Sequence, residues 1–203
     1  MRTWMLVPTL TLVLVGCRLC EPGDGPKAAH SPSPASVAPI RPGVIPITAA
    51  NASIKFTGST SLMSQEGRFT AFDGAMEVPT TDPKDTTIRV KVDMASTTTN
   101  IALLTKHLKG EDFFDVARYP TAEFVSERIV PTSETGRYQV TGRFTLHGVS
   151  QSVTFPARIV LTGDEVAFDA TLTLSQTAFG MTEAARKTKD EAPVTVSVRG
   201  RRS

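Results

Sequence analysis

The 203 residues are enough for one moderate domain with appendages, and 40% of them are hydrophobic, which suffices for an apolar core. The net charge is +2, and residues 51–203 carry 18 basic and 18 acidic residues without a block of like charge. This balance argues against a nucleic-acid-binding arm and against the electrostatic capture of polyanions.

The first sixteen residues have the proportions of an export signal. Arg2 precedes a mostly apolar stretch, Trp4 to Val15, which is shorter than the about 20 residues that a membrane-spanning helix needs. The following Leu14-Val15-Gly16-Cys17 resembles the lipobox of bacterial lipoproteins, where cleavage before the cysteine leaves a residue that carries lipid. We therefore expect a lipoprotein signal peptide at residues 1–16, and a lipid on Cys17 that anchors the protein to a bacterial membrane in the cell envelope, facing the periplasm.

A proline-rich segment follows the cysteine. Residues 21–46 contain seven of the fourteen prolines and show no apolar periodicity. Prolines at this density favour extended conformations, so residues 17–50 are interpreted as a semi-rigid tether. The alternative is an ordinary secreted protein in which Cys17 and Cys20 form a tight disulfide or stay free.

From residue 53 onward, apolar and polar residues alternate as they do in strands with one buried face. The clear runs are residues 88–94, 138–147, 153–161, 166–174 and 194–198, and weaker ones cover 53–61, 67–78 and 121–130. Short connections between them predict an antiparallel sheet of about eight strands. Because no long amphipathic helix is available to cover the sheet, we expect it to close on itself as a barrel or a sandwich.

Two segments interrupt the strand pattern. Residues 100–120 and 179–192 are predicted to form short helices and irregular loops that cap a barrel opening. In the first segment and the strand after it, Phe113, Phe114, Tyr119 and Phe124 are expected to turn onto the barrel mouth. These rings could line a ligand cavity or simply plug the end of the barrel.

Several motifs resemble the signature of the YceI-like domain family. They are His107-Leu108, Asp112-Phe113-Phe114-Asp115, Tyr119-Pro120, Phe124, Leu146-His147-Gly148-Val149, Val153-Thr154-Phe155 and Phe179-Gly180-Met181. The resemblance covers nearly all of residues 51–200 in the expected order. It implies an all-β domain over residues 51–203, an extended eight-stranded antiparallel lipocalin-like barrel with one or two short helices in loops. It also implies a periplasmic or secreted protein whose interior binds a long polyisoprenoid chain, such as that of an isoprenoid quinone.

The chain departs from the family pattern at four positions. Leu104 and Thr105 stand where the family often has an Arg-Asp pair, and Gln176 and Ala178 stand where it often has Arg and Asp before Phe-Gly. The missing charges put recognition of a polar headgroup in doubt more than they do the fold.

The predicted ligand site consists of large apolar side chains directed to the barrel interior and its mouth. They are Phe72, Met76, Val92, Phe113, Phe114, Phe124, Phe144, Phe155, Phe168 and Phe179. Small inward residues beside them, namely Gly142, Ala157 and Ala170, are expected to leave room for a ligand. Ordinary core packing is the alternative for each residue taken singly.

Catalysis has little support in the sequence. No serine stands in a G-x-S-x-G elbow and no phosphate-binding glycine loop is present. His107 and His147 have no metal-ligand spacing, and Asp112 and Asp115 match the spacing of a solvated loop. We therefore expect no enzyme, no cofactor and no metal. Three hypotheses remain, namely a lipid-anchored lipid carrier, an interaction module with a solid barrel, and a metal-assisted enzyme in which the two histidines converge; the oligomeric state stays open.

Overall fold

The structure is a computed structural model that describes residues 43–79 and 81–202. The predicted signal peptide, Cys17 and the tether up to residue 42 lie outside the described residues. Within the described ranges, no helix has the length and apolar character needed to cross a bilayer.

Eleven strands of the described residues form one antiparallel sheet. They are β1 (Val44–Thr48), β2 (Ala52–Ser59), β3 (Ser64–Phe69), β4 (Phe72–Glu77), β5 (Thr87–Asp93), β6 (Thr97–Thr99), β7 (Thr121–Pro131), β8 (Arg137–Leu146), β9 (Val149–Thr162), β10 (Glu165–Ser175) and β11 (Glu191–Arg201). The described residues also form two short α-helices, α1 (Ala102–Leu108) and α2 (Thr182–Lys187). The prediction of an all-β antiparallel fold with short helices in loops is confirmed, but the predicted number of eight strands is wrong.

Three features account for the additional strands. The predicted strand 67–78 is divided between β3 and β4. β6 consists of three threonines and so lacks the apolar alternation by which a strand is recognised. β1 falls inside the predicted tether of residues 17–50, and its Pro46 argues against a strand because proline is rare in strands. The proline is tolerated here because β1 is an edge strand that pairs only with β4.

The sheet curls until its two ends approach each other. The strand order is β1-β4-β5-β7-β8-β9-β10-β11-β2-β3-β6. One turn of 3-10 helix, Met94–Ser96, joins β5 to β6. Because β5 pairs with β4 whereas β6 pairs with β3, this continuous segment links opposite ends of the strand order. The result is a barrel-like sheet with one enclosed apolar face.

One half of the enclosed space is solidly packed. Ile45 and Ile47 of β1 enter it, each 1% exposed, beside the fully buried Met76 of β4. Gly200 of β11 allows the close approach of β1, because a methyl group at this glycine would overlap with the side chain of Ile45. The chain enters the described domain at this packed end, since Val44 pairs with Glu77 there.

Candidate ligand site

The other half of the barrel contains a cavity of about 400 Å³. This volume falls in the range of roughly 300–1,000 Å³ that small-molecule sites occupy. Strands from both sides of the barrel form its wall together with α1 and the loop after it. Among the described residues that line it, none carries a charge.

The inward-facing residues of β10 are divided between the cavity wall and the packed half. Along β10, Phe168, Ala170, Leu172 and Leu174 line the cavity, whereas Val166 is buried in the packed half. These residues alternate with exposed or half-buried ones, as the two-residue period of a strand requires. The strand pattern therefore supplies an apolar wall over the whole barrel, and only part of that wall encloses space.

Aromatic side chains form much of the wall. Phe124 of β7 packs against Phe155 of β9, with ring centroids 5.5 Å apart. Phe114, from the loop after α1, meets Phe56 of β2 edge-on at 5.6 Å and Phe69 of β3 at 6.1 Å. Edge-to-face and tilted contacts of this kind are favourable for aromatic pairs, so the loop is held on the barrel by its rings.

The loop between α1 and β7 has an ordered backbone. The amide of Phe114 donates to the carbonyl of Leu108 at 3.0 Å, and that of Tyr119 donates to Asp115 at 2.8 Å. Asp115 has a φ of 43°, the left-handed conformation that Asp tolerates better than most residues. The turns direct Phe113 and Phe114 into the cavity wall.

Tyr119 does not turn onto the barrel opening, where the sequence had placed it. Its ring lies over the imidazole of His147, with centroids 4.1 Å apart. A methyl group on Gly148 would come within 2.7 Å of the same ring, and the φ of +75° at this residue also favours glycine. Tyr119 therefore fixes the loop to the turn between β8 and β9 and does not line the cavity.

Seven of the ten predicted ligand-site residues lie in the cavity wall, namely Val92, Phe113, Phe114, Phe124, Phe144, Phe155 and Phe168. The other three are buried but lie outside the cavity wall. Phe72 and Met76 of β4 are buried outside the cavity, with Met76 directly opposite Ile45 of β1. Phe179 supports the wall from behind, because its ring meets Phe144 edge-on at 5.5 Å.

Glycines let two of the wall rings lie close to the sheet. The ring of Phe124 covers Gly142, where a methyl group would come within 2.6 Å of it. Phe56 covers Gly67 on the neighbouring strand in the same way. The predicted space beside Gly142 is thus filled by an aromatic ring, whereas Ala170 does border the cavity.

Several wall residues were not among the predicted ligand-site residues. Val194 and Val196 of β11 follow the same alternation as the predicted residues and line the cavity. Leu104 and Leu108 lie on one face of α1, four residues apart, a spacing that marks the buried face of a helix. Met181 comes from the loop before α2, where no periodicity is available to indicate its direction.

The cavity opens to solvent between the β2–β3 hairpin and the start of α1. Met63 of the hairpin and Ile101 before the helix both line the cavity, yet they are 60% and 45% exposed. β3 pairs with β6 through Gly67 and Thr99, which places the hairpin beside the chain segment that leads into α1. We call the rim formed by residues 60–65 and 101–104 the mouth.

The few polar side chains deep in the wall already have partners. The buried amide of Gln176 donates to the carbonyl of Lys189 at 2.5 Å and to Thr188 Oγ1 at 3.0 Å. The amide of Thr99, a lining residue, donates at 2.9 Å to the Oγ1 of Thr105, which does not itself line the cavity. At Gln176 and Thr105 the chain therefore uses side chains that stabilise its own loops, and Leu104 adds apolar surface to the wall.

Ionic and hydrogen-bonded contacts outside the cavity hold the loops near its end. The ammonium group of Lys187 in α2 binds Asp112 of the loop after α1 and lowers the pKa of this carboxyl group. A hydrogen bond from the hydroxyl of Ser175, followed by one from the backbone amide of Thr177, lowers the pKa of Asp190. Both carboxylates thus act in loop structure on the outer surface.

The two histidines of the domain contact different rings. His107 packs on Phe113 with centroids 5.0 Å apart, whereas His147 packs on Tyr119. Burial lowers the pKa of His147, against smaller opposing effects of Asp115 and of a hydrogen bond to the backbone of Phe179. The described residues contain no group of three or more His, Cys, Asp or Glu side chains that could hold a metal.

Comparisons with known proteins agree with this architecture. The profile of the YceI-like domain matches residues 46–199. A UPF0312 protein of Pseudomonas aeruginosa is 31% identical over 140 residues, which is 66% of this chain and 72% of that protein. A UPF0312 protein of Pseudomonas putida is 38% identical over 121 residues, 57% of this chain and 62% of that protein.

Solved structures share the fold. Burkholderia cenocepacia BcnA superimposes with a TM-score of 0.69 at 24% identity, over 76% of this chain and 99% of that one. A polyisoprenoid-binding domain from Saccharophagus degradans gives a TM-score of 0.65 at 13% identity, over 80% of this chain and 100% of that one. With the family profile matching most of the chain, and with the strands and cavity described above, the protein belongs to the YceI-like domain family.

Proposed function

We propose that the protein binds the hydrocarbon tail of a polyisoprenoid lipid, such as an isoprenoid quinone, inside the barrel and acts as a non-enzymatic carrier or reservoir. The observation that carries the proposal is the 400 Å³ cavity with its uncharged, almost wholly apolar wall. The similarity to a polyisoprenoid-binding domain from Saccharophagus degradans supports it. A solid barrel, as the alternative interaction module requires, would contain no such space.

The wall suits a hydrocarbon on energetic grounds. A tail that buries about 300 Å² of apolar surface would gain roughly 7 kcal/mol, before the cost of ordering the chain is subtracted. Burying such a tail leaves no charged group of the described wall without water. Several aromatic and branched side chains can contact the methyl groups of an isoprenoid chain at once, and such contacts are individually weak but numerous.

The orientation of the ligand follows from the distribution of polar groups. Deep in the wall, Gln176 and Thr188 bond to each other and to the backbone, so they have little capacity left for a headgroup. Gln65 and Thr60 stand at the mouth, beside solvent. A lipid would therefore insert its tail and leave its polar end at the mouth.

Anchoring through Cys17 is part of the proposal. The lipobox-like sequence before Cys17 supports a lipid-anchored protein of the cell envelope. The test is expression of the full chain in a bacterium with labelled fatty acid, beside the variant Cys17→Ala. Label that persists in the variant would contradict anchoring at this cysteine.

The ligand proposal is tested with residues 39–203. This segment forms one compact unit, and all described strands pair within it. The solved chain of Burkholderia cenocepacia BcnA corresponds over 99% of its length to 76% of this chain. A segment of this size therefore forms a whole protein in that structure, and residues 39–203 can be studied alone. We expect organic extraction of the purified domain to yield a stoichiometric polyprenyl species by mass spectrometry. A domain that carries none and takes up no added isoprenoid quinone would overturn the proposal.

A further inference from the structure

The mouth carries an exposed apolar cluster. Six large hydrophobic side chains of the described residues are exposed, and four of them surround the mouth. Leu62 and Leu103 are 91% and 77% exposed, next to Met63 and Ile101 at 60% and 45%. Single exposed apolar residues need no explanation, but a cluster around the entrance of an apolar cavity does.

The two segments of the cluster are neighbours in space. The carbonyl of Met63 accepts a hydrogen bond from the amide of Thr60 at 2.8 Å and closes a tight turn over residues 60–63. Leu62 therefore lies at the tip of the hairpin. Ile101 lies just beyond the last paired residue of β6, and Leu103 is in the first turn of α1. Both Met63 and Ile101 border the same cavity, so the cluster forms a rim on the two sides of one opening.

We propose that this rim docks on the surface of a lipid bilayer and inserts Leu62 and Leu103 into its interfacial region, so that the ligand passes between membrane and cavity without crossing water. The inference rests on the proposed function, because it specifies where a barrel that binds an isoprenoid lipid exchanges it. An isoprenoid tail that left the cavity into water would expose each of its buried CH₂ groups to solvent, which is unfavourable for every one of them. A bilayer in contact with the mouth removes that barrier.

Two lysines favour a bilayer over a protein surface as the occupant. Lys106 is exposed on α1, one turn after Leu103. Lys189 is exposed beside the hairpin, and its amide donates to the carbonyl of Ser59 at 2.7 Å. Neither lysine belongs to an ion pair within the described residues. Basic residues that flank exposed leucines are typical of surfaces that bind anionic lipid.

The tether is long enough for the mouth to reach the membrane. The described domain begins at the packed end, opposite the mouth. The length of β11, 11 residues, corresponds to about 36 Å between the two ends. The residues between Cys17 and Gly43 would span about 30 Å as a coil and about 80 Å fully extended. A domain anchored through Cys17 could therefore turn its mouth to the bilayer with this segment extended beyond its coil length, because the distance between the two ends exceeds that length.

The test compares three forms of residues 39–203, namely the wild type, the double variant L62S/L103S and the double variant V125S/V130S. Val125 and Val130 are the other two exposed large hydrophobics, and they lie on β7 away from the cavity wall. Flotation with vesicles of phosphatidylcholine and phosphatidylglycerol measures docking. Transfer of a dansylated polyprenyl probe from such vesicles measures exchange. Farnesol, which is short enough to use in solution, measures occupancy of the cavity without a membrane.

We expect L62S/L103S to lower both flotation and the transfer rate at least about tenfold, since each leucine loses apolar surface that the membrane would bury. Its affinity for farnesol stays within about twofold of wild type, because neither leucine lines the cavity. V125S/V130S behaves like the wild type in all three measurements. Equal transfer by the wild type and L62S/L103S would overturn docking at the mouth, as would an equal loss in V125S/V130S. If the wild type instead floats through its leucines but binds no farnesol and no probe, the proposed function fails while the docking surface stands.

Discussion

Ala170 offers a direct test of whether the barrel is hollow where the structure places the cavity. It lies on β10, 5% exposed, and lines the cavity opposite Val196 of β11. The variant Ala170→Phe adds a six-carbon ring that points into this space. In a close-packed core, such an insertion would lower the free energy of unfolding by about 1–3 kcal/mol.

In a cavity the same ring should stabilise the fold. Burying a phenylalanine side chain gains about 1.5–3 kcal/mol, and after the loss of side-chain entropy we expect a net gain of about 1 kcal/mol. Ala184 provides the matched control, because it is fully buried in α2 and does not line the cavity. We expect Ala184→Phe to be destabilised by about 1–3 kcal/mol. Denaturant unfolding of the ligand-free proteins measures both changes.

The same variant should weaken ligand binding. A phenyl ring occupies about the space of one five-carbon isoprenoid unit, whose burial is worth up to about 4 kcal/mol. With partial rearrangement of the tail we expect a loss of about 2 kcal/mol, or a dissociation constant raised about thirtyfold. A destabilisation of Ala170→Phe as large as that of Ala184→Phe would refute the cavity. A stabilised variant with unchanged affinity would place the ligand elsewhere.

Three further predictions address other parts of the domain. Ile45→Ala should lower the free energy of unfolding by about 2–5 kcal/mol and leave the probe affinity of the folded protein unchanged, since Ile45 is 1% exposed in the packed half. A variant as stable as the wild type would show that β1 is not packed in the barrel. Gly67→Ala should force the ring of Phe56 into the cavity and weaken probe binding about tenfold, whereas Gly58→Ala, which places one methyl group in open space at the cavity wall, should weaken it much less; equal affinities of the two variants would contradict this. Burial lowers the pKa of His147 below 6.5, so the unfolded state binds its proton more readily and stability should fall as the pH drops below 6.5. His147→Asn, which tolerates the positive φ of 51°, should flatten this dependence below pH 6.5 in urea unfolding, and an unchanged pH slope would disprove the assignment.

The alternation of apolar residues was sufficient to predict the main wall of the site. Phe144, Phe155 and Phe168 belong to long strands with clear apolar alternation and Phe124 to a weaker one, and each of them lines the cavity. A strand of ten or more residues offers several repeats of this pattern, so its inward face can be read without its neighbours. The resemblance to the YceI-like family then supplied the expected kind of ligand, which no periodicity could indicate.

The short strands could not be recognised in this way. β6 is three threonines, whose place in the sheet depends on pairing with Gly67, Arg68 and Phe69 of β3. β1 offers only Ile45 and Ile47 as an apolar repeat, on either side of a proline. Its strand conformation comes from the pairing with β4 along its whole length, which is a long-range contact that local sequence does not encode.

The position of the cavity depends on that same edge strand. Ile45 and Ile47 stand opposite Met76 and Gly74 of β4, and they fill the end of the barrel where the predicted site had placed Met76. Because residues 17–50 were predicted to be a tether, no side chains of this segment were expected inside the barrel. The whole interior was therefore expected to be available to a ligand. Strand alternation specifies which side chains face inward, but the filling of the interior depends on which other segments enter it. The variant Ile45→Ala should for this reason open a void in the packed half, apart from the ligand cavity, which xenon binding to the purified domain would detect.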